Sequence, residues 1–75
     1  MNKDYIIIYV DYKDTSNSRT GVYEARDAFA GAKNFLDNET GRNTEYFTDM
    51  TSIHSALQQS NCRLSMYDLS KISQV

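Results

Sequence analysis

The sequence predicts an α+β fold of two layers, in which an antiparallel sheet of about four strands packs on one main helix in the order ββαβ(α)β. Two observations lead to this prediction. In residues 22–36 a short strand runs almost without a loop into an amphipathic helix. Other segments show the period-two alternation of half-buried strands. The 75 residues are expected to form a single domain, residues 1–75, with a modest core.

The helix is predicted from Arg26 to Leu36, after a strand formed by residues 22–25. Asp27 is a suitable N-cap, because its carboxylate can accept a hydrogen bond from a free amide of the first turn. Gly31 opposes the helix by about 1 kcal/mol relative to alanine, but the apolar stripe outweighs it. That stripe recurs at three- and four-residue spacing and consists of Ala25, Ala28, Phe29, Ala32, Phe35 and Leu36.

Residues 5–12 form the first predicted strand, since they are rich in β-branched and aromatic side chains. The strand is apolar on both sides, as expected for a central strand with the helix on one face and something else, or only a partner, on the other. The polar residues 13–20 then indicate the turn of a long hairpin, after which Gly21 starts strand two. The two faces of the first strand carry Ile6, Ile8 and Val10 on one side, and Tyr5, Ile7 and Tyr9 on the other.

The second half of the chain is predicted to return to the sheet through residues 38–43, where Gly41 tolerates positive φ. Residues 44–49 alternate as a third strand, and residues 62–67 as a last one. Between them a short helix capped by Thr51 or Ser52 competes with a long hairpin loop. In that helix one face would hold Ile53, Ala56 and Leu57. The tail is predicted either to contribute Leu69 and Ile72 to the core or to fray.

Composition excludes several classes of function. Eight basic residues against ten acidic ones give a net charge of −2, which lacks the basic footprint of a nucleic-acid binder, so direct nucleic-acid binding is not expected. Cys62 is the only cysteine, and no signal peptide precedes the first strand, so a cytoplasmic protein without disulfides is predicted. The longest apolar run, residues 6–10, is too short to span a membrane.

An enzyme is not predicted, and neither is a cofactor or a metal. His54 is the only histidine, and no acid or cysteine lies at a metal-site spacing from it. The alternation around Cys62 favours a small core residue over a nucleophile. The group Asp11, Asp14 and Asn17 lacks the spacing, the glycine and the closing glutamate of a calcium loop.

Six tyrosines interleaved with acids favour a protein-binding surface, because tyrosine gives rigid contact area at low entropic cost. The alternative is that the rings only cover the sheet. The two interpretations stay open for Tyr9 and Tyr23, whereas the covering role is preferred for Tyr46 and Tyr67. From the residues alone, the candidates for partner binding are Tyr9, Asp11, Tyr23 and Glu24.

The basic residues are scattered, as solvated surface residues usually are. Arg26 and Lys33 are seven residues apart, so the predicted helix would place them two turns apart on one face. Two charges give little support for phosphate binding.

The first half of the chain carries a series of motifs, namely Tyr5-Ile6-Ile7, Val10, a polar turn with Asn17-Ser18-Arg19, Gly21-Val22, Phe29 and Ala32-Lys33. This series resembles the small phage-encoded anti-CRISPR inhibitors of type I-F. The resemblance implies a non-enzymatic protein that binds a multi-subunit, RNA-guided surveillance complex and blocks target-DNA recognition. It makes Arg19 and Lys33 contact candidates. An acidic, tyrosine-bearing sheet would complement the lysine-rich surfaces with which such complexes guide DNA.

The function predicted is therefore inhibition of a host CRISPR-Cas surveillance complex, with Cas proteins as partners and the inhibitor a monomer or a homodimer. One alternative is a small regulatory or antitoxin-like module that dimerises through an exposed face made of Tyr5, Ile7 and Tyr9. Another is a nucleic-acid binder that uses Arg26 and Lys33, whose affinity would fall steeply with salt.

Overall fold

The computed structural model describes every residue from Met1 to Val75. Four antiparallel strands form one sheet in the order β2-β1-β3-β4. Two helices contribute their buried side chains to the same core as one face of that sheet, which confirms the predicted two-layer α+β fold. The elements are β1 (Lys3–Asp11), β2 (Arg19–Ala25), α1 (Ala28–Phe35), α2 (Met50–Gln59), β3 (Cys62–Asp68) and β4 (Ser73–Gln74).

The β1–β2 hairpin confirms the predicted polar turn, which contains one turn of 3-10 helix at Thr15–Asn17. Asp14 caps this turn, because its carboxylate accepts a hydrogen bond from the Ser16 amide at 3.1 Å. The second strand begins at Arg19 rather than at Gly21, so it is longer than predicted.

The predicted N-cap of α1 is confirmed, since the Asp27 carboxylate accepts a hydrogen bond from the Ala30 amide at 2.9 Å. The helix does not stop where expected. It continues into a π-helical turn, Leu36–Thr40, and ends at Gly41, whose φ of 69° is the predicted positive one. From there the chain leads to α2 instead of returning to the sheet.

Gly31, which opposes helix formation, lies where α1 comes closest to the sheet. A Cβ atom at this position would lie 3.4 Å from Cδ2 of Tyr5 and 3.4 Å from Cβ of Ala25. A methyl group would therefore be in van der Waals contact with the sheet at this position, and the helix forms here despite the low helix propensity of glycine.

Residues 44–49 are not a strand, contrary to the prediction. The segment pairs with no other strand and instead folds on local hydrogen bonds. The Phe47 amide donates to the Thr44 carbonyl at 3.2 Å, and the Thr44 hydroxyl donates to the Asp37 carboxylate at 2.9 Å. Threonine and aspartate side chains can form hydrogen bonds with groups close by in sequence, and these local bonds compete with the pairing of strands in a sheet. The alternation that suggested a strand reflects Phe47 packing against the core from a loop.

Residues 50–59 form the helix α2, so the alternative of a long hairpin loop is wrong. The cap is Asp49 rather than Thr51 or Ser52. Its carboxylate accepts from the Ser52 amide at 2.8 Å, while the Ser52 hydroxyl accepts from the Asp49 amide at 3.2 Å, which is a capping box. As predicted, Ile53 and Leu57 share the buried face.

The last strand is confirmed, and the tail behaves differently from both expectations. Leu69 is exposed and Ile72 is 91% exposed, so neither reaches the core. The tail does not fray either, because it turns back to pair as β4 with the end of β3. The turn is held by Asp68, whose carboxylate accepts hydrogen bonds from the amide of Ser70 at 2.9 Å and from its hydroxyl at 2.6 Å.

One hydrophobic core lies between the sheet and the helices. The face of β1 that carries Tyr5, Ile7 and Tyr9 is buried in it. The suggestion that this face is exposed and dimerises is therefore wrong, because two helices cover it and not one. The twelve core residues are Tyr5, Ile7, Tyr9, Ala25, Ala32, Phe35, Leu36, Ile53, Leu57, Cys62, Leu64 and Met66.

Candidate functional site

The other face of the sheet is covered by no element of the chain, and we call it the open face. Successive side chains of a strand point to opposite sides, so the residues between the core positions of each strand share this face. None of them is buried, and Val22 is 63% exposed. The open face consists of Asp4, Ile6, Ile8 and Val10 on β1, Thr20, Val22 and Glu24 on β2, and Arg63, Ser65 and Tyr67 on β3.

The centre of the open face is an apolar row across three strands. Ile6 lies opposite Val22 of β2 on one side and opposite Tyr67 of β3 on the other. Ile8 lies in the next row, between Thr20 and Ser65. A continuous apolar row with a tyrosine at its end is the composition found at the centre of protein–protein interfaces.

Two carboxylates form the neighbouring row on the other side from Ile8, since Asp4 lies directly opposite Glu24. The odd residues of β1 exchange main-chain hydrogen bonds with β2, so Asp4 and Glu24 form a non-hydrogen-bonded pair whose Cβ atoms are about 5 Å apart. Neither carboxylate lies within salt-bridge distance of a cation, because the two ion pairs of the chain are Lys3–Asp68 and Arg26–Asp27. Like charges placed in this way destabilise a sheet, and a cation from outside the chain would relieve them.

Three of the predicted partner-binding residues meet elsewhere, in a polar recess beside the hairpin turn. We call this recess, of about 290 Å³, the turn recess. It joins the end of β1 to the π-helical turn and the loop after it. Its lining residues are Tyr9, Asp11, Asn17, Arg19, Glu39, Thr40 and Arg42.

Tyr9 presents only its hydroxyl to the turn recess, since the residue is 4% exposed. The hydroxyl donates to Sγ of Cys62 at 3.2 Å and accepts from a guanidinium nitrogen of Arg42 at 3.3 Å. Burial, and then the hydrogen bond to Cys62, raise the pKa of Tyr9 above its usual value. The ring is 6.4 Å from that of Phe35 and forms part of the core, so it offers no contact area to a partner.

Asp11 and Arg19 hold the hairpin turn together. The Asp11 carboxylate accepts hydrogen bonds from the amides of Lys13 at 2.9 Å and Asp14 at 3.2 Å. Desolvation would raise the pKa of Asp11, but these bonds and one from Asn17 together lower it. The Arg19 guanidinium donates to two carbonyl groups of the turn, at 2.8 Å and 2.9 Å. Both side chains already have partners within the chain.

The remaining predicted residues are spread over the molecule. Tyr23 lies on the helix side of β2, where its ring packs edge-on against Phe35 at 5.6 Å and its hydroxyl donates to the Glu39 carboxylate at 2.8 Å. The face of β2 that carries Tyr23 therefore points at the helix, and the face that carries Val22 points away from it. The Lys33 ammonium lies over the Phe29 ring at 5.2 Å from its centre. Of the six predicted residues, Glu24 is the one on the open face.

Arg26 does not share a helix face with Lys33, because it precedes the N-cap and pairs with Asp27 at 3.8 Å, whereas Lys33 is in the last turn of α1. The helix begins two positions later than the predicted arrangement requires. The cluster of two cations is therefore not formed by α1.

The sequence did not reveal the residues that build the open face, chiefly Asp4, Ile6, Ile8 and Tyr67. One indication was present, namely the apolar character of both sides of β1. The choice between those sides depends on the second helix, and the pairing of Asp4 with Glu24 depends on the register of the hairpin. Tyr67, for which a covering role is preferred from the sequence, is 38% exposed at the end of the apolar row.

A second cavity, of about 410 Å³, opens between α2 and the start of β3. His54, Leu57 and Gln58 line it from the helix, and Cys62 and Leu64 from the strand. No group of three or more His, Cys, Asp or Glu side chains is placed to hold a metal ion. Neither helix is long and apolar enough to cross a membrane.

No protein-family model, no curated protein and no solved structure matches this chain.

Proposed function

We propose that this protein is a non-enzymatic inhibitor that acts by docking its open face on a basic protein surface. The partner proposed from the sequence resemblance is a CRISPR-Cas surveillance complex of type I-F in the host cytoplasm. Binding there would cover lysine-rich surface that otherwise guides target DNA, and would so block DNA recognition.

The observation that carries this proposal is the carboxylate pair of Asp4 and Glu24, which lies beside the apolar row of Val22, Ile6 and Tyr67. The fold derives no benefit from placing two uncompensated negative charges opposite each other. A lysine or arginine of a partner would compensate both, while Ile6 and Val22 would supply the apolar contact beside it. Charge complementarity of this kind mainly sets partner choice and the association rate.

The open face also replaces the surface first expected from the sequence. Tyrosine and carboxylate groups were predicted to form the docking surface, and both groups are present on the open face. Glu24 is common to both surfaces, whereas Tyr67 and Asp4 take the place of Tyr9, Asp11 and Tyr23. The alternative of a module that dimerises through Tyr5, Ile7 and Tyr9 loses its surface, since these residues are buried.

The direct test measures target-DNA binding by a purified type I-F surveillance complex with and without the protein. The wild type is expected to abolish DNA binding. A double variant, Asp4→Lys with Glu24→Lys, reverses the charge of the pair and is expected to restore DNA binding, because it would repel a basic surface.

The control is Glu45→Lys, which reverses one charge, against two in the double variant, on an exposed loop residue whose carboxylate makes no hydrogen bond or ion pair. This variant is expected to inhibit as the wild type does. Failure of the wild type to inhibit would reject the proposed target. Equal inhibition by the double variant and the control would reject the open face as the docking surface.

A further inference from the structure

The outer edge of β2 carries main-chain groups that no part of the chain pairs. Hydrogen bonds from the Tyr12 amide to the Asn61 carbonyl and from the Leu69 amide to the Asp4 carbonyl direct the even residues of β1 towards β3. The odd residues of β1 therefore bond to β2, through Arg19, Gly21 and Tyr23 opposite them. The amide and carbonyl groups of the residues between them, Thr20, Val22 and Glu24, point outwards.

This edge carries the charged side chains of Arg19 and Glu24, but it lacks the other devices that usually protect an edge strand. The strand has seven residues, contains no proline and runs in unbroken register with β1. No side chain of the protein bonds to the three outward-facing residues, and Val22 in their middle is 63% exposed. At the opposite edge of the sheet, by contrast, β4 covers the end of β3. A long, regular and exposed edge is a template for another strand.

The sequence of β2 is compatible with antiparallel pairing to β2 of a second copy of the chain. Val22 is the middle residue of Arg19–Ala25, so an antiparallel pair with a two-fold axis at Val22 joins the strands over their full length. Val22 then lies opposite Val22 of the second copy, and Thr20 lies opposite Glu24 of the second copy. The threonine hydroxyl can donate to the carboxylate, and no like charges face each other. A slip that centres the axis on Glu24 would instead place two glutamates opposite each other.

We propose that two copies of this chain pair antiparallel along β2, which joins their four-stranded sheets into one continuous sheet. The three outward residues of each copy form about six main-chain hydrogen bonds across the axis. In an antiparallel pair, residues directly opposite each other have their side chains on the same side of the sheet. Because Val22 lies opposite its counterpart, both open faces lie on the same side of the joined sheet. The dimer therefore presents a doubled open face, and it forms whether or not that face binds a Cas complex.

Sedimentation equilibrium from micromolar to millimolar protein tests the proposal on wild type, Val22→Pro and Val22→Thr. Proline removes an amide hydrogen that the β1 ladder does not use, and edge strands tolerate proline where the N–H faces outwards. Threonine keeps both the amide and the branched shape. Wild type and Val22→Thr are expected to reach twice the monomer mass of 8.6 kDa. Val22→Pro should raise the dimer Kd at least about tenfold, because the two-fold axis means that one main-chain hydrogen bond is lost from each copy, two in all.

Hydrogen exchange on the wild type provides a measurement that does not depend on any variant folding. The amides of Thr20, Val22 and Glu24 should become protected as concentration rises, whereas the amides of Gly21 and Tyr23 should be protected throughout. A wild type that stays monomeric at millimolar concentration overturns the proposal, even if a strand from another protein binds the edge. A dimer whose Val22 amide stays unprotected, or a folded Val22→Pro protein that dimerises as well as the wild type, also overturns it.

Discussion

The two faces of the central strand β1 are almost equally apolar, yet only one of them is core. Tyr5, Ile7 and Tyr9 lie under the helices and are buried, whereas Ile6 and Ile8 on the open face remain partly exposed. The buried face stabilises the fold through burial of apolar surface. The open face contributes less to the fold and carries an uncompensated pair of carboxylates. This difference supports the proposal that the open face, rather than the buried one, makes an external contact.

The largest expected effect is a difference in stability between alanine variants of two adjacent residues, Ile7 on the buried face and Ile8 on the open face. Ile7→Ala should lower the free energy of unfolding by about 3 kcal/mol, because it leaves a cavity at a fully buried position. Ile8→Ala removes the same atoms from the half-buried open face and should cost less than about 1 kcal/mol. Urea denaturation measures both. Equal losses of stability would mean that the open face is as much a part of the core as the covered one.

A smaller effect is expected at Asp68, which is buried at the end of β3. Hydrogen bonds from the Ser70 side chain, followed by its amide and the charge of Lys3, outweigh desolvation and lower the pKa of Asp68. A carboxyl group whose pKa is lower in the folded state stabilises the fold at neutral pH, and this contribution is lost as the pH falls through the folded pKa.

Replacement of Asp68 by asparagine should therefore lower stability near about pH 7 and have a smaller effect near about pH 2, because the stabilisation by the wild-type carboxylate is lost as the pH falls towards and through its folded pKa. Urea midpoints at the two pH values test this expectation. An unchanged acid dependence in the variant would show that Asp68 does not contribute to it.

The smallest effect concerns the open face and has the opposite sign. Glu24→Gln removes one charge of the pair with Asp4 and should stabilise the isolated protein by about 0.5 kcal/mol. The same change should weaken binding to a basic partner. Thermal unfolding at low and high salt checks the stability, and the gain should shrink with salt as the repulsion is screened. A loss of stability would indicate that Glu24 has a structural role within the fold.

The sequence was most informative where the deciding interactions are local. The helix after Asp27 follows from its cap and its apolar stripe, and Gly41 follows from its tolerance of positive φ. Residues 44–49 were misassigned because alternation alone does not distinguish a strand from a loop that buries Phe47. A strand requires a partner, and the hydrogen bond of Thr44 to Asp37 is not visible in a local pattern.

The candidate site was harder to predict because it depends on which face the helices cover. With a single predicted helix, either side of β1 could be exposed. The second helix packs Ile53 and Leu57 against the same face of the sheet as α1, so Tyr9 on that face is part of the core. Of the predicted site residues Glu24 alone lies on the open face, because the register of the hairpin places it opposite Asp4, on the same side of the sheet as Ile6 and Val22.

Site-specific photo-crosslinking from two tyrosine positions tests most directly whether the open face is the docking surface. Benzoylphenylalanine would replace Tyr67 on the open face in one protein and Tyr46, which is 80% exposed in the loop between the helices, in the other. After irradiation with the type I-F surveillance complex, we expect covalent adducts with Cas subunits from position 67 and none from position 46. Adducts from position 46 alone would contradict the assignment of the open face.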